Sequence, residues 1–100
     1  MPRIQGLTEE YLTGDKLLKL GAVCELHAIV IAAEGATAGQ SIVFRDGQNG
    51  AAVPLLVCVI EAANQTLPPI MFPQGKRFES GCFVDFQATP GKVHVSLTYK

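Results

Sequence analysis

The sequence contains no tryptophan, only two tyrosines and few charged residues. Charged side chains make up 17% of the 100 residues, below the roughly 25% of an average globular protein, whereas apolar residues reach 48%. The eight lysines and arginines are scattered and the formal net charge is −1, so no basic stripe is present to neutralise phosphates. We therefore expect one globular unit with its own core, a weakly charged surface that a partner covers in part, and no nucleic-acid ligand.

Paired cysteines, long apolar runs and a secretory signal are also lacking. Cys24, Cys58 and Cys82 are an odd number without a short pairing, and each lies within an apolar run. This arrangement favours buried thiols in a reducing cytoplasm over a disulfide framework. No run approaches the roughly 18 apolar residues that span a bilayer, and the start MPRIQGLTEEYLTG has no uninterrupted apolar segment. We expect no membrane partner and no export by an ordinary signal.

Motifs for catalysis or ligand binding are missing as well. Cys24 and His27 are three positions apart, so on a strand they project to opposite faces and cannot share a metal ion. His27 and His94 lie far apart in sequence, on polar strand faces where a histidine needs no ligand. No carboxylates are paired for acid and base roles, and the glycines of EGATAGQ and DGQNG lack the order of a phosphate-binding loop. We expect no enzyme, no cofactor and no metal site.

What the sequence does have is a series of short strand patterns. Residues 22–33, 40–45, 51–62, 82–86 and 92–100 are apolar at alternate positions or throughout, and turns with glycine or proline separate them. Three prolines in residues 68–73 allow only an edge segment or extended loop, with Ile70 and Phe72 directed inward. This pattern predicts an all-β fold, an antiparallel β-sandwich or a jelly-roll-like barrel.

The faces of these strands predict a core. In residues 22–33, the alternation places Cys24, Leu26, Ala28, Val30 and Ala32 on one face. Residues 51–62 are apolar on both faces, which is typical of a central strand. Pro54 is expected to mark a bulge or the beginning of the strand, with regular pairing from Leu55 onward. The residues predicted to form the core are Val57, Val59, Val84, Phe86, Val95 and Leu97.

The first twenty residues differ from the rest and are interpreted as an N-terminal arm, residues 1–20, before a sandwich domain, residues 21–100. Thr8 followed by acidic residues indicates one or two helical turns that end at Gly14. The arm holds six large apolar side chains, which are costly to leave in water, so we expect them at an interface. They are Ile4, Leu7, Tyr11, Leu17, Leu18 and Leu20.

Two short segments resemble a known group of proteins. They are FRDG, residues 44–47, and RFESGCFVD, residues 77–85, set between a first strand GAVCELHAIVI and a last strand VHVSLTY. This succession resembles the small virion proteins of tailed bacteriophages, over residues 21–100.

The resemblance implies a β-sandwich component of the virion, a capsid decoration or cement protein assembled in the host cytoplasm. Its implied partners are the major capsid protein and further copies of itself, as a trimer. We expect the apolar arm and one sheet edge to dock on the shell. A carbohydrate-binding or receptor-binding module of a tail or fibre is the alternative, although aromatic side chains for a sugar platform are few. An intracellular assembly factor absent from the finished particle stays open as a third alternative.

Overall fold

The computed structural model describes residues 7–100, which form nine β-strands in two antiparallel sheets. In chain order the strands are β1 (Thr8–Leu12), β2 (Lys16–Leu18), β3 (Cys24–Glu34), β4 (Ser41–Asp46), β5 (Val53–Val59), β6 (Asn64–Thr66), β7 (Ile70–Phe78), β8 (Cys82–Gln87) and β9 (Val93–Tyr99). The predicted all-β fold is confirmed, with the two sheets arranged as a sandwich. Within residues 7–100 we find no helix that could cross a membrane.

The two sheets divide the chain unevenly. The five-stranded sheet has the order β1-β9-β3-β6, and β7 pairs with β3 on the same side as β6. The four-stranded sheet has the order β2-β8-β4-β5. The edges are therefore β1 and the β6–β7 side of the first sheet, and β2 and β5 of the second.

The core lies between the sheets and confirms part of the predicted set. Val84, Val95 and Leu97 are buried, and Phe86 is half-buried against the core. The prediction is wrong for Val57 and Val59, which are 53% and 48% exposed. Both lie on β5, which was expected to be central but pairs only with β4 among the described residues. In such an edge strand, the domain itself covers neither the outer face of the side chains nor the backbone groups at the open edge.

A bulge changes the inward face of β3. In the pairing with β9, Leu26 lies opposite Tyr99 and Ala28 opposite Thr98, so His27 is an extra residue in β3. The pairing with β7 also shifts here, but its extra residues lie in β7, between Met71 and Lys76. Before the bulge Cys24 and Leu26 are buried, and after it the buried positions are Ile29, Ile31 and Ala33. The uninterrupted face predicted from alternation, which included Ala28, Val30 and Ala32, is therefore wrong beyond Leu26.

The N-terminal segment contributes a strand to each sheet. β1 pairs with β9 from Thr8 opposite Tyr99 to Leu12 opposite Val95, and β2 pairs with β8. The helical turns predicted at Thr8 are wrong, because the ladder with β9 satisfies the backbone of this segment. Residues 8–12 and 16–18 of the predicted arm are thus strands of the sandwich.

The bulge predicted near Pro54 is present. The register of β4 and β5 shifts between Phe44 and Arg45, with Leu56 opposite Phe44 and Pro54 opposite Arg45. Leu55 is the extra residue. Regular pairing with β4 therefore covers residues 56–59, the C-terminal part of β5.

Candidate interaction surface

The two segments that carry the resemblance meet in the structure. Residues 44–47 end β4, and residues 77–85 run from the end of β7 into β8, with Asp46 opposite Cys82 in register. The Ser80 amide donates to Asp46 Oδ1 at 2.9 Å, and the Gly47 amide donates to the Gly81 carbonyl at 3.1 Å. These contacts hold the turn between β7 and β8 against the end of β4.

An ion pair joins the same two segments on the outer side of the sheet. Arg45 Nε lies 3.0 Å from Asp85 Oδ2, and Arg45 Nη1 donates to the Ala52 carbonyl at 3.0 Å. The two charged side chains are only 14% and 15% exposed. Because they neutralise each other, they add no net charge to the surface around them.

Gly81 meets a steric requirement in this turn. Its φ is +96°, and a Cβ at this position would lie 2.6 Å from the Lys19 carbonyl oxygen. Only glycine fits both the conformation and the space. The segments that carry the resemblance are therefore explained largely by conformation: they fix how β2, β4, β7 and β8 meet.

Apolar side chains lie on the outer side of the four-stranded sheet, on either side of the Arg45–Asp85 ion pair, and we call them together the apolar face. Residues opposite each other in register share a side, which groups Leu17 with Phe83 and Val43 with Val57. Val43 is only 4% exposed although it does not belong to the core cluster between the sheets, because its neighbours on this side cover it. The apolar face consists of Leu17, Val43, Leu55, Val57, Val59 and Phe83.

The edge strand β5 continues this apolar character to the rim of the sheet. Val53, Leu55, Val57 and Val59 are all exposed, and no residue of β5 carries a charge. The edges β1 and β7 do carry charges, at Glu9 and Glu10 and at Lys76 and Arg77. Charged side chains on edge strands oppose pairing with another chain, and β5 lacks this protection.

The six residues predicted at an interface are not brought together. Ile4 lies outside the described residues, and Leu18 is buried in the core. Leu17 lies on the apolar face, whereas Tyr11, 63% exposed, lies on the outer side of the other sheet. Leu7 is half-buried and Leu20 is 73% exposed after β2.

A second surface feature surrounds Tyr11 on the outer side of the five-stranded sheet. Tyr11 Oη and His94 Nδ1 form a hydrogen bond of 2.5 Å, and the two rings stack with their centroids 5.8 Å apart. The tyrosine borders a shallow groove of about 370 Å³ that Glu9, Ser96 and Thr98 also line. An exposed aromatic ring beside hydroxyl and carboxylate groups is a composition that suits a polar ligand with an apolar face.

Three buried thiols lie inside the sandwich. Cys24 and Cys82 face each other from the two sheets, and the hydrogen bond between them together with burial raises the pKa of Cys82. Burial also raises the pKa of Cys58. Sequence reasoning missed the contact between Cys24 and Cys82, because residues so far apart in the chain give no spacing signal. The structure of residues 7–100 contains no group of three side chains able to hold a metal ion.

One buried polar atom is unsatisfied next to the β3 bulge. His27 Nε2 finds no hydrogen-bond partner among the described residues and lies 3.7 Å from Glu25 Oε1. An added Cβ on Gly75 would approach it to 3.1 Å, so the β7 backbone closes over the ring. The imidazole is 21% exposed and is not grouped with further metal-ligating side chains in the described part of the chain.

We compared the chain with known protein families, proteins and structures. No family model, no curated protein and no solved structure matches the chain. Its exposed surfaces, and the resemblance of two short segments, are therefore what bears on its function.

Proposed function

We propose that this protein is a structural component of a tailed-bacteriophage particle that binds the outside of the capsid and stabilises it. The observation that carries the proposal is the apolar face: a folded domain with a core of its own exposes a second apolar surface on the opposite side of one sheet. Such a surface on a weakly charged protein is typical of a protein interface. The resemblance of residues 44–47 and 77–85 to phage virion proteins supplies the class of partner, the major capsid protein.

The construction of the face suits a docking role. The sheet beneath it is part of a sandwich, and the hydrogen bonds from Ser80 to Asp46 and from Gly47 to Gly81 hold β4 against the β7–β8 turn. The Arg45–Asp85 pair is already satisfied, so covering it with a partner leaves no unpaired charge. Leu17 brings the N-terminal segment into the same surface. The trimeric state implied by the resemblance rests on no residue and stays a prediction.

Sedimentation with empty capsid shells tests the proposal. The full chain should sediment with shells of the phage that encodes it, and Leu17→Glu should lower its occupancy because a carboxylate is then placed in the apolar contact. Val30→Glu is the matched control, since Val30 is an exposed valine on the outer side of the other sheet. Circular dichroism verifies that both variants fold.

Two results would contradict the proposal. One is failure of the wild-type chain to bind shells at any concentration. The other is full occupancy by folded Leu17→Glu, or loss of occupancy caused by Val30→Glu alone. Stoichiometric presence of the chain in purified particles separates a decoration protein from an assembly factor that leaves before the particle is complete.

A second candidate function follows from the groove beside Tyr11. An exposed aromatic ring with neighbouring Ser96, Thr98 and Glu9 suits the stacking and hydrogen bonding of a sugar, as in a tail or fibre module. If this candidate is right, calorimetry with host surface polysaccharide detects binding that Tyr11→Ala abolishes and Leu17→Glu leaves unchanged. If the capsid proposal is right, Tyr11→Ala leaves shell binding unchanged.

A further inference from the structure

The backbone of β5 directs hydrogen-bonding groups at solvent. The Ile60 amide donates to the Gln40 carbonyl at 2.8 Å, which makes Ile60 a bonded position opposite the start of β4. Because bonded and non-bonded positions alternate along an antiparallel ladder, Cys58 and Leu56 also bond to β4. Val57 and Val59 then point their N–H and C=O groups away from β4, toward the open edge. The Glu61 amide, next in this series, is occupied by Gln65 Oε1 at 3.0 Å.

The side chains of this edge also lack the features that keep edge strands apart. The described edge strands β1 and β7 carry charged residues, whereas β5 has only apolar residues along its length. Its one protective device is Pro54 with the adjacent bulge at Leu55, and both lie at the N-terminal end. Residues 56–60 are left as a regular, uncharged template for another strand.

We propose that β5 pairs with β5 of a second copy of this chain, antiparallel about a two-fold axis beside Cys58, so that two four-stranded sheets join into one of eight strands. With this axis, Val57 lies opposite Val59 of the partner subunit. Both positions direct their amide and carbonyl groups at the open edge, so each such pair exchanges two hydrogen bonds. The paired valines also cover each other's exposed side chains.

Charge favours a second copy in this orientation. Glu61 is the first charged residue after β5, and in the antiparallel pair it lies opposite Leu55 of the partner subunit. The two Glu61 carboxylates are then six residues apart along the strands, about 20 Å at roughly 3.4 Å per residue. That separation exceeds the screening length of about 8 Å at physiological salt. A parallel pairing places the same carboxylates side by side, which is unfavourable.

The pairing predicts a closed dimer. A two-fold contact uses the same patch on both copies and is complete with two, whereas a trimer needs two different patches on each copy. The proposal therefore differs from the trimer implied by the resemblance. It does not rest on capsid binding, which is tested at Leu17 on the far strand of the same sheet.

Light scattering after size-exclusion chromatography tests the pairing on the full chain, from about 1 µM to about 1 mM, the range of a small interface. The expected mass at high concentration is twice the 10.7 kDa of the monomer. Val57→Lys adds a charge to the edge, and Val59→Pro removes an amide donor that faces the partner while the ladder with β4 stays intact. Each should weaken the dimer at least tenfold. Met71→Lys, on the exposed edge strand β7, is the matched control and should leave the dimer unchanged.

Amide hydrogen exchange of the wild-type chain gives a readout that needs no variant. Cys58 should be protected at all concentrations, because its amide bonds to β4, whereas Val57 and Val59 should become protected only at concentrations where the dimer forms. A monomeric or trimeric mass at 1 mM would overturn the proposal. The proposal would also be overturned if Val57→Lys and Val59→Pro both fold and still form the dimer. Amide exchange at Val57 and Val59 that does not depend on protein concentration would overturn it as well. Loss of shell binding by Leu17→Glu with an intact dimer separates this inference from the proposed function.

Discussion

Replacing Gly81 by alanine tests whether the turn between β7 and β8 is fixed by close approach to the segment after β2. A Cβ at Gly81 would lie 2.6 Å from the Lys19 carbonyl oxygen and 3.3 Å from that of Leu18. The shorter distance is about 0.8 Å below the 3.4 Å at which ordinary contacts begin. Both oxygens belong to the backbone, so no side-chain rotation relieves the contact.

Two costs add up in Gly81→Ala. The first is the positive φ, which is unfavourable for alanine by about 1–3 kcal/mol. The second is displacement of the backbone around Lys19 against the β2–β8 ladder, which we set at about 1–3 kcal/mol by analogy with overpacked cores. The free energy of unfolding should therefore fall by about 2–6 kcal/mol, a large share of the roughly 5–15 kcal/mol of a typical domain.

Gly39→Ala is the matched control for this prediction. Gly39 has φ +93°, nearly the value at Gly81, but an added Cβ there meets no atom within 4 Å. Urea unfolding of wild type and both variants should give a loss of about 1–3 kcal/mol for Gly39→Ala, and a further 1–3 kcal/mol or so for Gly81→Ala. Equal losses in the two variants would refute the argument, because the close approach to Lys19 would then have no energetic effect.

Three further predictions concern the core and its titratable groups. Phe44→Ala should lower the free energy of unfolding by about 3–5 kcal/mol, because Phe44 is fully buried. Phe86→Ala should lower it less, because Phe86 is half-buried. A larger loss for Phe86→Ala than for Phe44→Ala in urea unfolding would contradict this. Burial raises the pKa of Tyr99, and the nearby carboxylate of Glu10 raises it further. The native state therefore keeps a proton that the unfolded chain releases near pH 10, and the free energy of unfolding falls as pH rises through the native pKa. Tyr99→Phe should therefore lose less stability than wild type between pH 9 and pH 11, and identical losses would show that this tyrosine is not involved. A thiol reagent should label the three cysteines only after unfolding, and rapid labelling of native protein would show that at least one is accessible.

Strands with one clearly apolar face could be predicted from the sequence. β9 alternates without interruption, and Val93, Val95, Leu97 and Tyr99 are all buried, as expected. β8 behaves in the same way, with Cys82 and Val84 inward. In both strands the difference between the two faces is local information, which a single sequence contains.

Features that depend on neighbours could not be predicted in this way. β5 is apolar on both sides, and this composition suits a covered central strand as well as an edge strand that binds another chain. The bulge at His27 adds one residue to β3, and no glycine or proline marks it in the sequence. The predicted alternation therefore continues past His27, where the inward and outward faces of the strand exchange. Thr8 and the acids after it have the composition of a helix start, and only the ladder with β9, from the far end of the chain, makes them a strand.

The candidate surface shows the same division. The sequence shows β5 as an apolar run. It does not show that β5 is exposed, because exposure depends on what the rest of the fold covers. The pairing of Arg45 with Asp85 joins residues 40 positions apart. In the sequence, Arg45 is an isolated charge at the end of one apolar strand and Asp85 an isolated charge within another. Opposite charges on two such strands are a signal that a search for inter-strand ion pairs could have used.

The central place of β9 determines when this chain can fold during synthesis. The ribosome makes β1 early, but β1 and β3 are joined only through β9, whose first residue is Val93. The four-stranded sheet has all of its strands once β8 has emerged, whereas the five-stranded sheet at that stage lacks the strand that joins β1 to β3. Pairing between such distant segments is slow, and a nascent chain of this kind exposes apolar strands until the last one arrives. The interval between the emergence of β8 and β9 is therefore when a holding chaperone would protect the inner side of the finished sheet.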